Sequence, residues 1–218
     1  MALTDNIIAY WKFQWNSTDE IGSFNGTDTS ITYSTWNWKI GEWAWFNGSS
    51  SFISIGSTFM NNLSAGTIAC WINRSATWAQ HTIIDKTQTG LANYVQFIVN
   101  SDDKLRMILN NTASVSSTGT VSTGWTHVWV TFNGSNCTFY INGSSSWSPA
   151  NTSTSPNTSR APFIGKVDNN TAWMNGAIDE LWVWSRALSA SEFTELYNSG
   201  NWLTYPFTSS FRPKVIIY

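Results

Sequence analysis

Residues 178–200 read IDELWVWSRALSASEFTELYNSG, an alternating stretch that runs straight into a helical one. Leu181 and Val183 alternate with Trp182 and Trp184, the period of two that sends successive side chains to opposite faces of a sheet. Ser189 stands three residues before Glu192, the spacing of a capping box, in which each side chain satisfies a backbone N–H that the first helical turn leaves unpaired. Leu188 and Phe193 occupy staple positions, Phe193, Leu196 and Tyr197 recur at helical spacing, and Gly200 is placed for a left-handed C-terminal cap. The stretch predicts a strand, a corner and a helix of two to three turns whose apolar stripe must lie on something else.

The rest of the chain reads as all-β. Strand candidates at 7–13, 43–46, 51–56, 66–73, 81–86, 93–100, 104–111, 126–132, 137–142, 162–167 and 178–184 are bounded by Gly, Asn, Ser and Asp clusters. That is the rhythm of an antiparallel sandwich rather than of βαβ units. NYVQFIVN and KLRMILNN form a hairpin across Ser101 to Asp103, and THVWVTF and CTFYIN form another across Asn133 to Asn136. Parity puts Val95, Phe97, Val99, Leu105, Met107, Leu109, Val128, Val130, Phe132, Cys137, Phe139 and Ile141 on one inner face of four consecutive strands. We expect a single domain over 1–218, with its core at about 7–200. Residues 144–162 form a polar loop, and the tail 201–218 adds an edge strand at its end.

Charged residues make up 11% of the 218, and the net charge is -2, so there is no basic stripe to track phosphates and nucleic acid is not an expected partner. No apolar run reaches the length needed to cross a bilayer, and MALTDNIIAYWKF lacks the regions of a signal peptide. The many Asn-x-Ser/Thr triplets, from Asn16 to Asn169, then reflect compositional bias rather than a glycan coat. Cys70 and Cys137 both fall at core-facing parity, either bonded to each other or as two buried thiols, and no histidines stand at zinc-ligand spacing around them.

Taken in order, IIAYWKF, WFNGSSSFISIG, GTIACWIN, GWTHVWVTFNGSNCTFYING and the closing PFIGKVDNNTAWMNGAIDELWVWSRALSASEFTELYNSG resemble a laminin-G-like domain of the concanavalin A-like lectin/glucanase superfamily. The resemblance spans about 7–200 and implies a jelly-roll sandwich of two antiparallel sheets, with the terminal helix packed beside a sheet edge as a structural closure. The opening MALTDNIIAYWKF and the closing LYNSGNWLTYPF are also similar to modules of bacteriophage and environmental-virus proteins.

Asp179 shares strand parity with Leu181 and Val183, so its carboxylate must be satisfied by backbone N–H groups or by a cation. The resemblance implies Ca²⁺ held by Asp179 with Gln14 and with Asn47 or Gly48; Gln14 and Trp15 stand where many relatives carry an acidic pair. Tyr94, Gln96, Arg106, His127, Trp129 and Tyr140 share the face opposite the inner one, and mix rings that stack on sugar C–H faces with amide, guanidinium and imidazole groups that meet hydroxyls. In a chain with 15 Trp, the same residues also read as plain packing.

The superfamily's glucanases need two carboxylates close together on one strand. The four strands of that face contain neither Asp nor Glu, Asp179 and Glu180 are read as pointing to opposite faces, and Asp85 has no evident partner. The expected function is therefore non-catalytic: a lectin-like module for glycan or a cell-surface polymer, acting in adhesion on a virion or at a cell surface. The alternatives are a structural decoration domain that contacts other proteins and, last, a glycoside hydrolase.

Overall fold

A computed structural model describes residues 2–35, 41–87, 95–110, 113–147, 159–201 and 203–207. In chain order the first eight strands are β1 (Ile7–Trp11), β2 (Thr27–Thr29), β3 (Thr32–Ser34), β4 (Trp43–Asn47), β5 (Phe52–Ser54), β6 (Gly66–Arg74), β7 (His81–Lys86) and β8 (Val95–Val99). There follow β9 (Lys104–Leu109), β10 (Ala113–Thr120), β11 (Gly124–Phe132), β12 (Cys137–Ile141), β13 (Ser144–Ser145), β14 (Phe163–Ile164) and β15 (Asn175–Trp184), then helix α1 (Ala190–Tyr197). Among the described residues they build two antiparallel sheets. The eight-stranded sheet runs β13-β12-β11-β6-β15-β4-β3 with β1 on β15, and the seven-stranded sheet runs β10-β9-β8-β7-β14-β5-β2. This is the jelly-roll sandwich, and no described helix is long and apolar enough to cross a membrane.

Every inner-face residue read from parity packs into the core between the sheets, Ile141 at its margin. Both hairpins form as read. The two hairpins, however, lie in opposite sheets, β8-β9 in one and β11-β12 in the other. The cause is β10, ASVSSTGT, whose single large apolar residue leaves no visible alternation; it pairs with β9, after which the chain crosses to the other layer. Cys70 and Cys137 are separate buried thiols, both pushed upward in pKa by burial, with Asp179's charge adding to the shift at Cys70. The edge strand expected at the tail's end lies outside the described residues.

The stretch at 178–200 explains the third layer. Between Asp179 and Trp182 the pairing of β15 with β6 slips by one residue: Asp179 lies opposite Trp71, and Trp182 opposite Ala69. Such a bulge reverses parity. Asp179 therefore shares register with the outward-facing Trp71 rather than with the inward-facing Leu181, and Glu180 takes up the kink at φ 50. On the outer face of this sheet, Tyr10, Ala69, Trp71, Trp129, Trp182 and Trp184 form a second apolar cluster, closed by Leu3, Leu188, Phe193 and Leu196 with the tail residues Tyr205 and Phe207. Helix α1 thus sits over the sheet rather than beside its edge. Trp182 stacks on Tyr10 and Phe207, and Trp184 Nε1 donates to the Leu3 carbonyl at 2.9 Å.

The capping box is present: Ser189 Oγ accepts from Glu192 N, and Ser189 N donates to Glu192 Oε2 at 2.8 Å. The left-handed cap is Asn198, at φ 44, two residues before the glycine expected there. Partial burial alone would raise the Glu192 pKa, but the Arg186 guanidinium and the Ser189 hydrogen bonds outweigh it and hold the carboxyl at about 2. A depressed carboxyl pKa stabilises the fold above the unfolded value, near 4.5, and that contribution is lost as pH falls toward 2. Melting temperature is therefore expected to fall across this window, and Glu192→Gln should flatten that part of the profile while costing about 1 kcal/mol at neutral pH.

Candidate functional site

The residues singled out for a sugar-binding face are not brought together. Trp129, His127 and Tyr140 lie on the outer face of the eight-stranded sheet, as parity required, but under α1. Trp129 is 0% exposed, stacked against Phe193 at 4.6 Å and Tyr140 at 4.9 Å. His127 is equally buried, with Trp129, Trp71 and Tyr197 at 4.4, 5.1 and 5.6 Å; desolvation lowers its pKa well below the usual value, so the imidazole stays neutral. Gln96 and Arg106 belong to the other sheet, on the far side of the molecule: Gln96 Nε2 donates to Asp85 Oδ1 at 2.9 Å, and Arg106 Nε donates to Ser114 Oγ at 2.6 Å. Tyr94 lies outside the described residues.

The four calcium candidates do not make one site either, because Asn47 and Gly48 lie far from Asp179. Asn47 pairs with Asn175, four residues before Asp179 on β15, which separates them by roughly 13 Å, whereas oxygens sharing one Ca²⁺ must lie within about 5 Å of each other. Asn47 Oδ1 instead accepts from the N–H groups of Ser49, Ser50 and Ser51, pinning the β4–β5 turn. Gly48 N donates to the Met174 carbonyl, Gln14 is exposed beyond β1, and Asp179 Oδ1 accepts from Glu180 N at 2.9 Å. These residues do not fit an oxygen cage, and among the described residues no three His, Cys, Asp or Glu side chains gather at metal-ligand spacing.

Two carboxylates missed as organisers turn out to be structural. Asp19 accepts N–H groups from Tyr10 and Ile21 on one oxygen and from Ser23 and Phe24 on the other, folding the loop after β1. Asp85, whose pKa is raised by burial against the pull of its hydrogen bonds, accepts from Thr87, Gln96 and the Asp168 N–H.

What α1 leaves uncovered is the other end of the same face. Residues directly across adjacent strands share a side of the sheet. Trp45 on β4, Ala177 on β15, Asn73 on β6 and Trp125 on β11 form one such row, continued by Thr32 on β3. Trp45, Asn73 and Trp125 are partly exposed, as is Trp43 two residues along β4. The Trp43 ring lies 5.8 Å from Trp45 and 6.0 Å from Trp125, tilted by 60° and 69°. Ala177 contributes only a methyl between them. Gly176, at φ 136, lets β15 close on β6, since a Cβ there would lie 2.1 Å from the Asn73 carbonyl oxygen.

The result is three indoles, two in the row and Trp43 beside it, with a carboxamide and a hydroxyl; the row itself carries no charged side chain. The signal for Trp125 was present in the sequence: it shares parity with His127 and Trp129, and it is the member of that series left partly exposed at the margin of the helix-covered cluster.

Domain 4 of the GH43 extracellular arabinanase AbnA from Geobacillus stearothermophilus, solved with arabinotriose, superposes with a TM-score of 0.74 at 20% identity, covering 87% of this chain and 97% of that one. The binding domain of Paraclostridial Mosquitocidal Protein 1 gives 0.70 at 17% identity, over 91% of this chain and 53% of that one. The binding domain of botulinum neurotoxin DC in complex with SialylT gives 0.67 at 17%, over 91% and 52%. The chain thus spans about half the length of both toxin domains. At such identities the likeness is one of fold. No curated protein sequence matches the chain significantly. Residues 47–193, most of the sandwich and the first half of α1, match the Laminin_G_3 family, and the chain accordingly belongs to the concanavalin A-like lectin/glucanases superfamily.

Proposed function

We propose that the chain is a non-catalytic, lectin-like module that binds a neutral glycan along the row Trp45, Trp43, Asn73 and Trp125. The observation that carries this is the open line of indoles on the outer face of a sheet, where the other described outward-facing aromatic residues pack beneath the helix and tail. Indole faces stack on sugar C–H surfaces, and the Asn73 carboxamide supplies a planar donor and acceptor for hydroxyls. The uncharged row favours neutral sugars over sialylated or uronic ones. Ring spacings near 6 Å are comparable to the length of one sugar residue, so the row accommodates about three. The tilts of 60° and 69° suit a twisted or bent single chain, because no flat ribbon can lie on all three rings at once. The complexes of two fold neighbours, with arabinotriose and with SialylT, support a glycan as ligand.

The test is a glycan array followed by titration with the best soluble oligosaccharide. Trp45→Ala and Trp125→Ala should each weaken binding about tenfold or more while leaving the fold intact, since both side chains are only partly buried. Unchanged affinity in both variants would remove the row from consideration. Strong retention on crystalline cellulose or chitin would contradict the bent-chain reading, and release of reducing ends from a bound polysaccharide would overturn the non-catalytic one.

A further inference from the structure

Trp78 is 77% exposed, more than Trp15 at 62% or Trp147 at 54%, and it sits in the left-handed region at φ 59. For a residue other than glycine that conformation is unfavourable, so the surroundings must impose it. They do. The Trp78 N–H donates to Asp103 Oδ1 at 3.0 Å, and the same oxygen accepts from Arg74 Nη1 at 2.8 Å. Arg74 is buried, its other terminal nitrogen donates to the Val121 carbonyl, and Val121 N donates back to the Asp103 carbonyl.

The base of the loop is equally fixed. Ser75 N donates to the Asn175 carbonyl at 3.0 Å. Asn175 N–H donates to His81 Nδ1 at 3.3 Å, which leaves His81 Nε2 as the protonated nitrogen and the donor to the Ala76 carbonyl at 3.1 Å. A buried ion pair and this set of hydrogen bonds thus make a pedestal whose one large side chain stands in solvent.

From this pedestal we infer that Trp78 is a second stacking position for the glycan, at the rim of the sandwich, engaged by chains too long for the tryptophan row alone; the inference rests on the function proposed above. Its location favours this. The pedestal begins at Arg74, the residue after Asn73, and Arg74 pairs with Gly124, the residue before Trp125. Trp78 is five residue steps from Asn73, a reach of at most about 18 Å. A chain leaving the row at Asn73 therefore needs only a few more sugars to arrive at Trp78.

The chemistry of the loop selects the same class of ligand. Ser75, Ala76, Thr77, Ala79 and Gln80 surround Trp78 with small groups, hydroxyls and an amide. A protein hot spot needs a ring of neighbours to exclude water, and a membrane anchor needs further apolar and basic side chains. The loop has neither. A sugar needs one flat apolar surface and polar partners at its margin. The backbone that carries the indole is also fixed before the ligand arrives, so little main-chain ordering entropy is spent on binding.

The experiment compares wild type, Trp78→Ala and Trp125→Ala against linear arabinan, mixed-linkage β-glucan and chitin oligomers, each paired with its own trisaccharide. For whichever polymer binds wild type, Trp78→Ala should lose about tenfold in affinity for the long chain and nothing for the trisaccharide, whereas Trp125→Ala should lose both. Because Trp78 is so exposed, its removal should leave the melting temperature unchanged. The indole N–H resonance absent from Trp78→Ala should shift in wild type when long chains are added and stay fixed with trisaccharide. Long-chain binding that is lost in Trp125→Ala but unchanged in Trp78→Ala, with no shift of that resonance, would overturn the role of Trp78 while leaving the row standing. Absence of binding to every probe would overturn both.

Discussion

Replacing Trp129 by alanine is expected to lower the unfolding free energy by about 3–5 kcal/mol, the range for removing a large aromatic side chain from a packed interior. Trp129 forms the floor on which α1 rests, between Phe193 above and Tyr140 at its side, with His127 4.4 Å away. Truncation would leave a cavity that an eight-residue helix cannot collapse into without losing its other contacts, those of Leu188 and Leu196. Among the described residues Trp129 Nε1 has no hydrogen-bond partner, so Trp129→Phe gives up area alone and should cost less, within the range of size-reducing core changes. Denaturant titration would show both effects, with loss of near-ultraviolet dichroism in step for the alanine variant. Glycan binding measured well below the melting point should persist in Trp129→Phe. A Trp129→Ala chain as stable as wild type would mean that the helix is not seated on the sheet as described.

Asp103→Ala should destabilise the fold by a similar amount, about 3–5 kcal/mol, for a different reason: it strands a buried guanidinium. The Arg74 side chain is fully buried and ties β6 to the β8–β9 turn through Asp103 and to the Val121 carbonyl. Replacing both charges, as Arg74→Met with Asp103→Leu, should recover much of the loss, because the desolvation of both ions disappears together.

The pH dependence follows from the signs of the shifts. Burial alone would raise the Asp103 pKa, but hydrogen bonds from Arg74 and the Trp78 N–H, with the nearby charges, hold it below the usual carboxylate value of 3.8. Its contribution is therefore complete above that value and is lost as pH falls through the lower folded one. At His81, burial first and the Arg74 charge second lower the pKa below 6.5. Protonation is thus easier in the unfolded chain, and stability should already begin to decline as pH drops under 6.5. Two acid-side declines are expected in a melting profile, the upper one reduced in His81→Gln and sustained by buried His127, whose pKa is lowered in the same direction.

Much of this was written in short-range patterns. Alternation placed the inner-face residues of both hairpins, the capping box placed the start of α1, and Asn133 to Asn136 gave a turn. These features depend on neighbours a few residues away. What failed depended on partners far along the chain. The strand β10 carries too few apolar residues to show its period, and without it the two hairpins read as one sheet. The bulge at Asp179 and Glu180 adds one residue opposite β6, which no single-strand pattern reveals, and it turned Asp179 to the other side. Trp129 and Trp125 have identical parity and similar surroundings in sequence; only the helix's footprint decides that one is packing and the other is surface. The groups that fix the Trp78 loop, on Asp103, Val121, Asn175 and His81, lie in four different parts of the chain, so its pedestal had no signature to read.

The family match ends at residue 193, halfway along α1. A boundary drawn there for expression would amputate Leu196, Tyr197 and the Tyr205–Phe207 strap while keeping the indoles they shelter. Polypeptides trimmed to that limit would present a greasy plateau to solvent and clump, so recombinant versions of this module should run past Phe207.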